Sequence, residues 1–166
     1  MTYGEALLAE FDQEMANTRK VLERIPQDKL DWRAHPKSNT IGWNANHLAD
    51  LPNWLVQTLT KPSLDIAPVG GTPYPFPKLT NVRDILALFD RNVAAARAAI
   101  AAVKDEEMGQ MWSLCQAGKP LFTLPRAAVV RGPVLNHLMH HRAHVCVYLR
   151  LNDIPVPGLY GPSGDE

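Results

Sequence analysis

Residues 61–79, KPSLDIAPVGGTPYPFPKL, carry five prolines and a Gly-Gly pair. Proline fixes φ and has no N–H to give, so no helix survives that density of breakers. The break divides the chain into two pairs of helical segments. Before it, Leu7, Leu8, Phe11, Met15, Thr18, Val21, Leu22 and Ile25 recur at steps of three and four, which predicts a first helix over 3–25 that Pro26 stops. Gln27–Asn39 reads as a loop anchored by Trp32, and Thr40 as the N-cap of a second helix over 41–59. After the break, a third helix runs from 81 to 103, capped by Thr80 or Asn81 and ending in the strongly helix-forming VAAARAAIAAV. Residues 104–124 read as irregular, with a short strand at LFTL. A fourth helix spans 125–152, where Pro133 bends it or marks its true start, and Pro155 and Pro157 end regular structure.

Four amphipathic helices with no convincing sheet predict an all-α four-helix bundle with long irregular linkers, one domain over 1–166. The second helix is ~27 Å long at 1.5 Å per residue. A linker of about twenty residues can cross that length. Helices two and three can then run parallel, and the expected topology is up-down-down-up.

Composition excludes several classes of function. Lys and Arg balance Asp and Glu at 17 each, so there is no basic footprint for nucleic acid. No apolar run approaches the ~20 residues of a membrane span. The start, MTYGEALLAEFDQE, is acidic and amphipathic and lacks a signal peptide's basic and apolar stretches, so a cytoplasmic location is expected. Cys115 and Cys146 form no CxxC pair, and a disulfide is not expected there. Cys146 reads as a small buried or half-buried apolar residue, and Cys115, with no base adjacent in sequence, as unreactive.

The last helix carries the chemistry. His137, His140, His141 and His144 stand at offsets 0, 3, 4 and 7, on one face, and they are four of the six histidines in the chain. A bundle helix usually turns apolar side chains along such a face. Converging neutral imidazoles need hydrogen-bond partners, protons or a metal ion. Two i,i+4 pairs could chelate one: His137 with His141, or His140 with His144. A metal needs at least a third ligand, and His47 is the only histidine on helix two, at mid-length like His141. His35 lies in a loop and is expected to be solvated. Asp50, a turn after His47, reads as a solvated carboxylate, although it could orient an imidazole or act as a base. Trp43 and Trp54 read as core packing before substrate wall, and Arg142 as half of a structural salt bridge.

IGWNANHLA, NHLMHHRAHVCVYLRL and the closing PVP together resemble the DinB/YfiT-like family of small bacterial four-helix metalloproteins. In that family a helix-two His joins two helix-four His in H-x-x-x-H, whose second His opens an H-R-G-Q motif. This chain reads His141-Arg142-Ala143-His144 at that place. The resemblance therefore implies His47, His137 and His141 as metal ligands. His144 stands where the family has Gln, so it is not implied as a ligand. His140 and His144 are left to flank the ligands or line the pocket mouth.

Three neutral imidazoles leave a divalent ion its full charge and an open position, which lowers the pKa of a water or thiol that binds there. Such a site accepts Zn, Ni, Co or Mn, with zinc and then nickel expected here. The resemblance implies a metal-dependent enzyme acting on a small molecule, as a thiol S-transferase using a low-molecular-weight thiol or as a hydrolase. The competing class is a non-catalytic metal-binding stress protein. Helices one and three have apolar residues on more than one face, such as Leu88 and Phe89, and helix four carries Tyr148 beside Leu149; this surplus predicts a homodimer, to which the resemblance also points.

Overall fold

A computed structural model describes residues 1–166. Helix α1 is Tyr3–Glu23, opened by a capping box in which Thr2 and Glu5 exchange side-chain bonds to each other's backbone N–H. Helix α2 is Ile41–Thr60, capped by the Thr40 hydroxyl on the Trp43 N–H at 3.0 Å. Helix α3 is Val82–Ala102, capped by Asn81. The fourth helix, α4, is composite: one α turn at Arg126–Val129, a π stretch over Val130–Asn136, then α over His137–Arg150. Pro133 accounts for the widening. It has no N–H for the carbonyl four residues back, and its ring crowds that carbonyl, so the ladder shifts to five-residue bonds. At the far end of the stretch, the His137 N–H reaches the Gly132 carbonyl.

Inter-helix pairs give the directions. Asp12 meets Arg97 and Arg19 meets Asp90, so α1 and α3 run antiparallel. Asn44 meets His141, and the Lys61 carbonyl meets Arg126, so α2 and α4 run antiparallel. Glu10 meets Arg131 and Glu14 meets Arg142, so α4 runs along α1. The seam between the four is apolar. Phe11, Leu22, Leu48, Leu51, Leu55, Phe89, Leu135 and Leu149 are all buried, and each contributes roughly 1.5–3 kcal/mol of hydrophobic stabilisation. Arg142 is among the buried polar side chains, paired with the buried Glu14 at 2.7 Å and bonded to Thr18 and Tyr160, the structural salt bridge expected of it.

The protein is mostly helical, but it is not all-α. A small three-stranded sheet is built from β1 (Ser63–Asp65), β2 (Met111–Gln116) and β3 (Lys119–Pro125), in the order β1-β2-β3. The expected LFTL strand is part of β3, whereas β1 and β2 fall in segments that read as irregular linker. β2 alternates, with Trp112 and Leu114 inward on Val129. The hairpin turns on Ala117 and Gly118, both at positive φ, the backbone that a two-residue primed turn requires. β1 pairs parallel with β2 across some fifty residues of chain. The Asp65 carboxylate accepts from the Gly118 N–H at 2.7 Å and so holds the turn from the other side.

The proline-rich linker returns along α2 and is tied to it at two points. Asn46 gives its Nδ2 to the Leu79 carbonyl at 2.9 Å and accepts from the Leu79 N–H at 2.8 Å. Tyr74 gives its hydroxyl to Asp50 at 2.8 Å. The 27–39 loop closes on the start of α2, where Gly42 donates to the Leu30 carbonyl at 2.7 Å. A Cβ at Gly42 would lie 2.9 Å from that same oxygen, so the close approach needs glycine. No helix is long and apolar enough to cross a membrane.

Candidate metal centre

The middle of α2 and the start of the α stretch of α4 bring His47, His137 and His141 together. One ring nitrogen from each lies within 4.8 Å of the other two. Nε2 of His137 is 3.3 Å from Nε2 of His47 and 2.9 Å from Nε2 of His141. In a tetrahedral zinc site with Zn–N of about 2.0–2.1 Å, ligand nitrogens stand roughly 3.3 Å apart. The His47–His137 spacing matches that value, and the His137–His141 spacing is somewhat tighter.

Hydrogen bonds on the far side of two rings fix their tautomers. Asn44 gives its Nδ2 to the Thr40 carbonyl at 2.8 Å, which turns its Oδ1 toward Nδ1 of His141 at 2.9 Å. Oδ1 only accepts, so Nδ1 of His141 carries the proton. Nδ1 of His137 faces the Pro133 carbonyl at 3.2 Å and must donate as well. The π stretch leaves this carbonyl free of the His137 backbone N–H, which goes to Gly132 instead. A neutral imidazole has one N–H, so Nε2 of both rings is a bare lone pair.

The rings are held neutral. Burial pushes His141 down from 6.5 to about 3, helped by His47 and His137 beside it. Burial pushes His47 down to about 4, with His137 adding to it. His137 is also lowered by burial, against the pull of its Pro133 bond. Two lone pairs therefore face each other at 2.9 Å, an arrangement that repels unless a cation lies between them. The donor set fits a divalent metal ion, which this triad could hold.

His140, His141 and His144 form a second group of convergent nitrogens. His141 belongs to both groups, but its Nδ1 is committed to Asn44 and its Nε2 to the first triad. That leaves two free ligands in the second group. His140 is exposed, and its ring packs 4.2 Å from that of His144, which in turn stacks on Tyr148. Of the two places expected for them, they take the first: both rings flank His141, at 5.1 and 5.7 Å, and neither lines the cavity beside His47.

Asp50, Trp43 and the surplus apolar residues depart from expectation, and Trp54, His35 and the cysteines do not. Asp50 is buried, not solvated. It accepts from Tyr74 and from Nε1 of Trp54 at 2.9 Å, and burial raises its carboxyl above the ordinary range. Trp43 is not core. It stands 4.9 Å from the His47 ring and 5.5 Å from His141, with 46% of its surface exposed. Trp54 is half-buried, against the core and 6.5 Å from His47. His35 is exposed, and both cysteines are free and half-buried, with the Cys146 thiol pushed up by burial. Phe89, Tyr148 and Leu149, which read as surplus apolar surface, are buried within the single chain.

Sequence reasoning missed Asn44, Asn46, Tyr74 and Phe76. Two buried asparagines in the run NANH, inside an otherwise apolar helix, were the signal for the first two. Nothing local marks Tyr74 or Phe76, which reach the site through the linker.

A sequence model of the DinB superfamily matches residues 10–145. No curated protein matches the chain. Among solved structures, a DinB-like protein from Bacillus cereus superposes with a TM-score of 0.72 at 20% identity, over 94% of this chain and 97% of that one. A DinB-like protein from Bacillus subtilis gives 0.67 at 14% identity, over 90% and 95%. At these identities the likeness shows the fold.

Proposed function

Because the chain belongs to the DinB superfamily, we propose that it is a divalent-metal-dependent enzyme acting on a small molecule, of the thiol S-transferase or hydrolase type. The observation that carries the reading is the pair of unprotonated Nε2 atoms of His137 and His141, 2.9 Å apart, with Nε2 of His47 beside them. His47, His137 and His141 are its metal ligands, and zinc or nickel is the ion. When bound, the ion supplies Lewis acidity, which favours the anion of a thiol or water over its neutral form.

The chain's own groups do the rest. Asn44 and the Pro133 carbonyl hold two rings in the ligating tautomer. Trp43 covers His47 and His141 from one side and limits access of water. A cavity of about 330 Å³ opens beside His47, lined by Trp43, Asn46, Phe76 and Pro77. A purely structural metal site would be closed by protein, and an adjoining cavity favours the enzyme over a non-catalytic metal-binding protein. We infer an up-down-down-up topology, with α2 against α4 at the triad. The exposed Val147 on α4 and Leu151 just past its end support a homodimer. A monomeric mass by light scattering at micromolar concentration would remove that part.

Cobalt substitution tests the chemistry. Sulfur ligation of cobalt gives a charge-transfer band that histidine and water do not. The band is expected when a low-molecular-weight thiol is added to the cobalt protein, and not with His47→Ala. Cobalt-loaded protein that shows no band with several thiols would move the hydrolase reading ahead.

A further inference from the structure

Two large aromatic side chains beside the triad are left open to solvent. Trp43 is 46% exposed and Phe76 is 44% exposed, whereas Phe11, Phe89 and Trp112 are buried. Trp43 and Phe76 line the same cavity, one from α2 and the other from the proline-rich linker, and His47 and Pro77 complete its wall. Its volume of about 330 Å³ falls at the small end of the roughly 300–1,000 Å³ typical of ligand pockets.

The wall offers π faces and hydrocarbon and almost nothing else. No Asp, Glu, Lys or Arg lines it. Asn46 is the one amide, and both of its N–H groups are committed, to the Gly42 and Leu79 carbonyls at 2.9 Å each. Its Oδ1 already accepts from the Leu79 N–H. His47 turns its Nε2 to His137. A charged ligand group would lose its hydration here, and the wall offers it no oppositely charged side chain, only the unpartnered ring Nδ1 of His47.

The cavity is also built in advance. Phe76 is held against Tyr74, with ring centres 4.9 Å apart, and Tyr74 is bound to both Asp50 and Asn53. Trp43 leans on His47 at 31°. A ligand that stacks on these rings meets surfaces that are already in place, so little ordering is lost on binding.

We propose that the cavity between Trp43, Phe76 and His47 takes a flat, uncharged aromatic or conjugated group of the small-molecule substrate. That the ligand is a substrate rests on the metal-centre reading; the binding itself does not.

Calorimetry on the chelator-stripped protein tests it, with 2-naphthol as the probe. Its saturated counterpart decahydro-2-naphthol and the anion 2-naphthalenesulfonate are the comparators. Aromatic stacking predicts that 2-naphthol binds about threefold to tenfold tighter than the saturated alcohol, and the sulfonate is expected to bind more weakly still. Phe76→Ala and Trp43→Ala should each weaken 2-naphthol at least tenfold. Both side chains are half exposed, and thermal melting checks that the variants fold. Phe76→Leu keeps apolar bulk without the ring and should still lose severalfold. No heat with 2-naphthol up to its solubility, equal binding of the saturated alcohol or the sulfonate, or full affinity in Phe76→Leu would each overturn the proposal. Because the ion is absent throughout, a protein that binds no metal yet binds 2-naphthol overturns the metal reading alone. A metal-binding protein that ignores 2-naphthol overturns this one alone.

Discussion

Asn44 touches neither substrate nor metal, yet its removal should weaken metal binding severely. Its side chain is 1% exposed. It donates to the Thr40 carbonyl at 2.8 Å and accepts from Nδ1 of His141 at 2.9 Å. Asn44→Ala takes away the only acceptor that Nδ1 has. The ring proton is then free to move to Nε2, and an Nε2–H cannot ligate. A buried donor left without its partner costs about 1–3 kcal/mol. In the variant this penalty falls on the ligating tautomer. At 1.4 kcal/mol per factor of ten it becomes a loss of about 10–100-fold in affinity, the usual range for a group that orients a ligand. The assay is competition for zinc against a chelator of known affinity, with a thermal melt of the metal-free variant to confirm that it folds. Asn44→Asp should keep most of the affinity, because a carboxylate also accepts from Nδ1–H. If folded Asn44→Ala binds zinc within about twofold of wild type, the tautomer argument is wrong.

Three further outcomes follow from the same structure. Asp50→Ala should unbind Tyr74 and Trp54 and cost about 1–3 kcal/mol, seen as a fall in melting temperature of about 2–4 °C per kcal/mol; an unchanged melt would show that the linker does not need this clamp. Arg142→Ala should strand the buried Glu14 carboxylate and cost about 3–5 kcal/mol, with much of it recovered in Arg142→Met combined with Glu14→Leu, as denaturant titration would report. Burial holds His47 near about 4 and His141 near about 3, against 6.5 when unfolded. Below pH 6.5 the unfolded chain takes up protons that the folded rings refuse, so stability of the metal-free protein should fall as pH drops from 7 to 4. Denaturation midpoints that stay level, with His47→Ala behaving alike, would show that these rings titrate normally.

The helices were legible because period, caps and breakers are local. Thr40 and Asn81 stand as caps in the sequence itself, and the bounds of α1 and α2 shifted by a residue or two. The sheet was not legible, because β1 finds its partner in β2 some fifty residues on, and the hairpin turns on Ala-Gly in place of the usual Asn-Gly signal. Pro133 announced a disturbance, but only the folded chain shows that a π stretch frees a carbonyl for His137. The triad's spacing along α4 left two i,i+4 pairs open, since both lie on one face. What separates them spatially is the partner across the bundle. His137 meets His47, whereas His140 is exposed. Asp50 and Trp43 depart from expectation for one reason: the linker that buries the first and leaves the second open folds back from outside their helix.

His47, His137 and His141 are proposed to hold one divalent ion. Elemental analysis of protein purified without a histidine tag tests it most directly, on wild type and on single alanine variants. One ion per chain is predicted in wild type and in His140→Ala, and most of it should be lost in His47→Ala, His137→Ala and His141→Ala. A wild-type chain that takes up no divalent metal, or one that loses it in His140→Ala and keeps it in His137→Ala, would contradict the account.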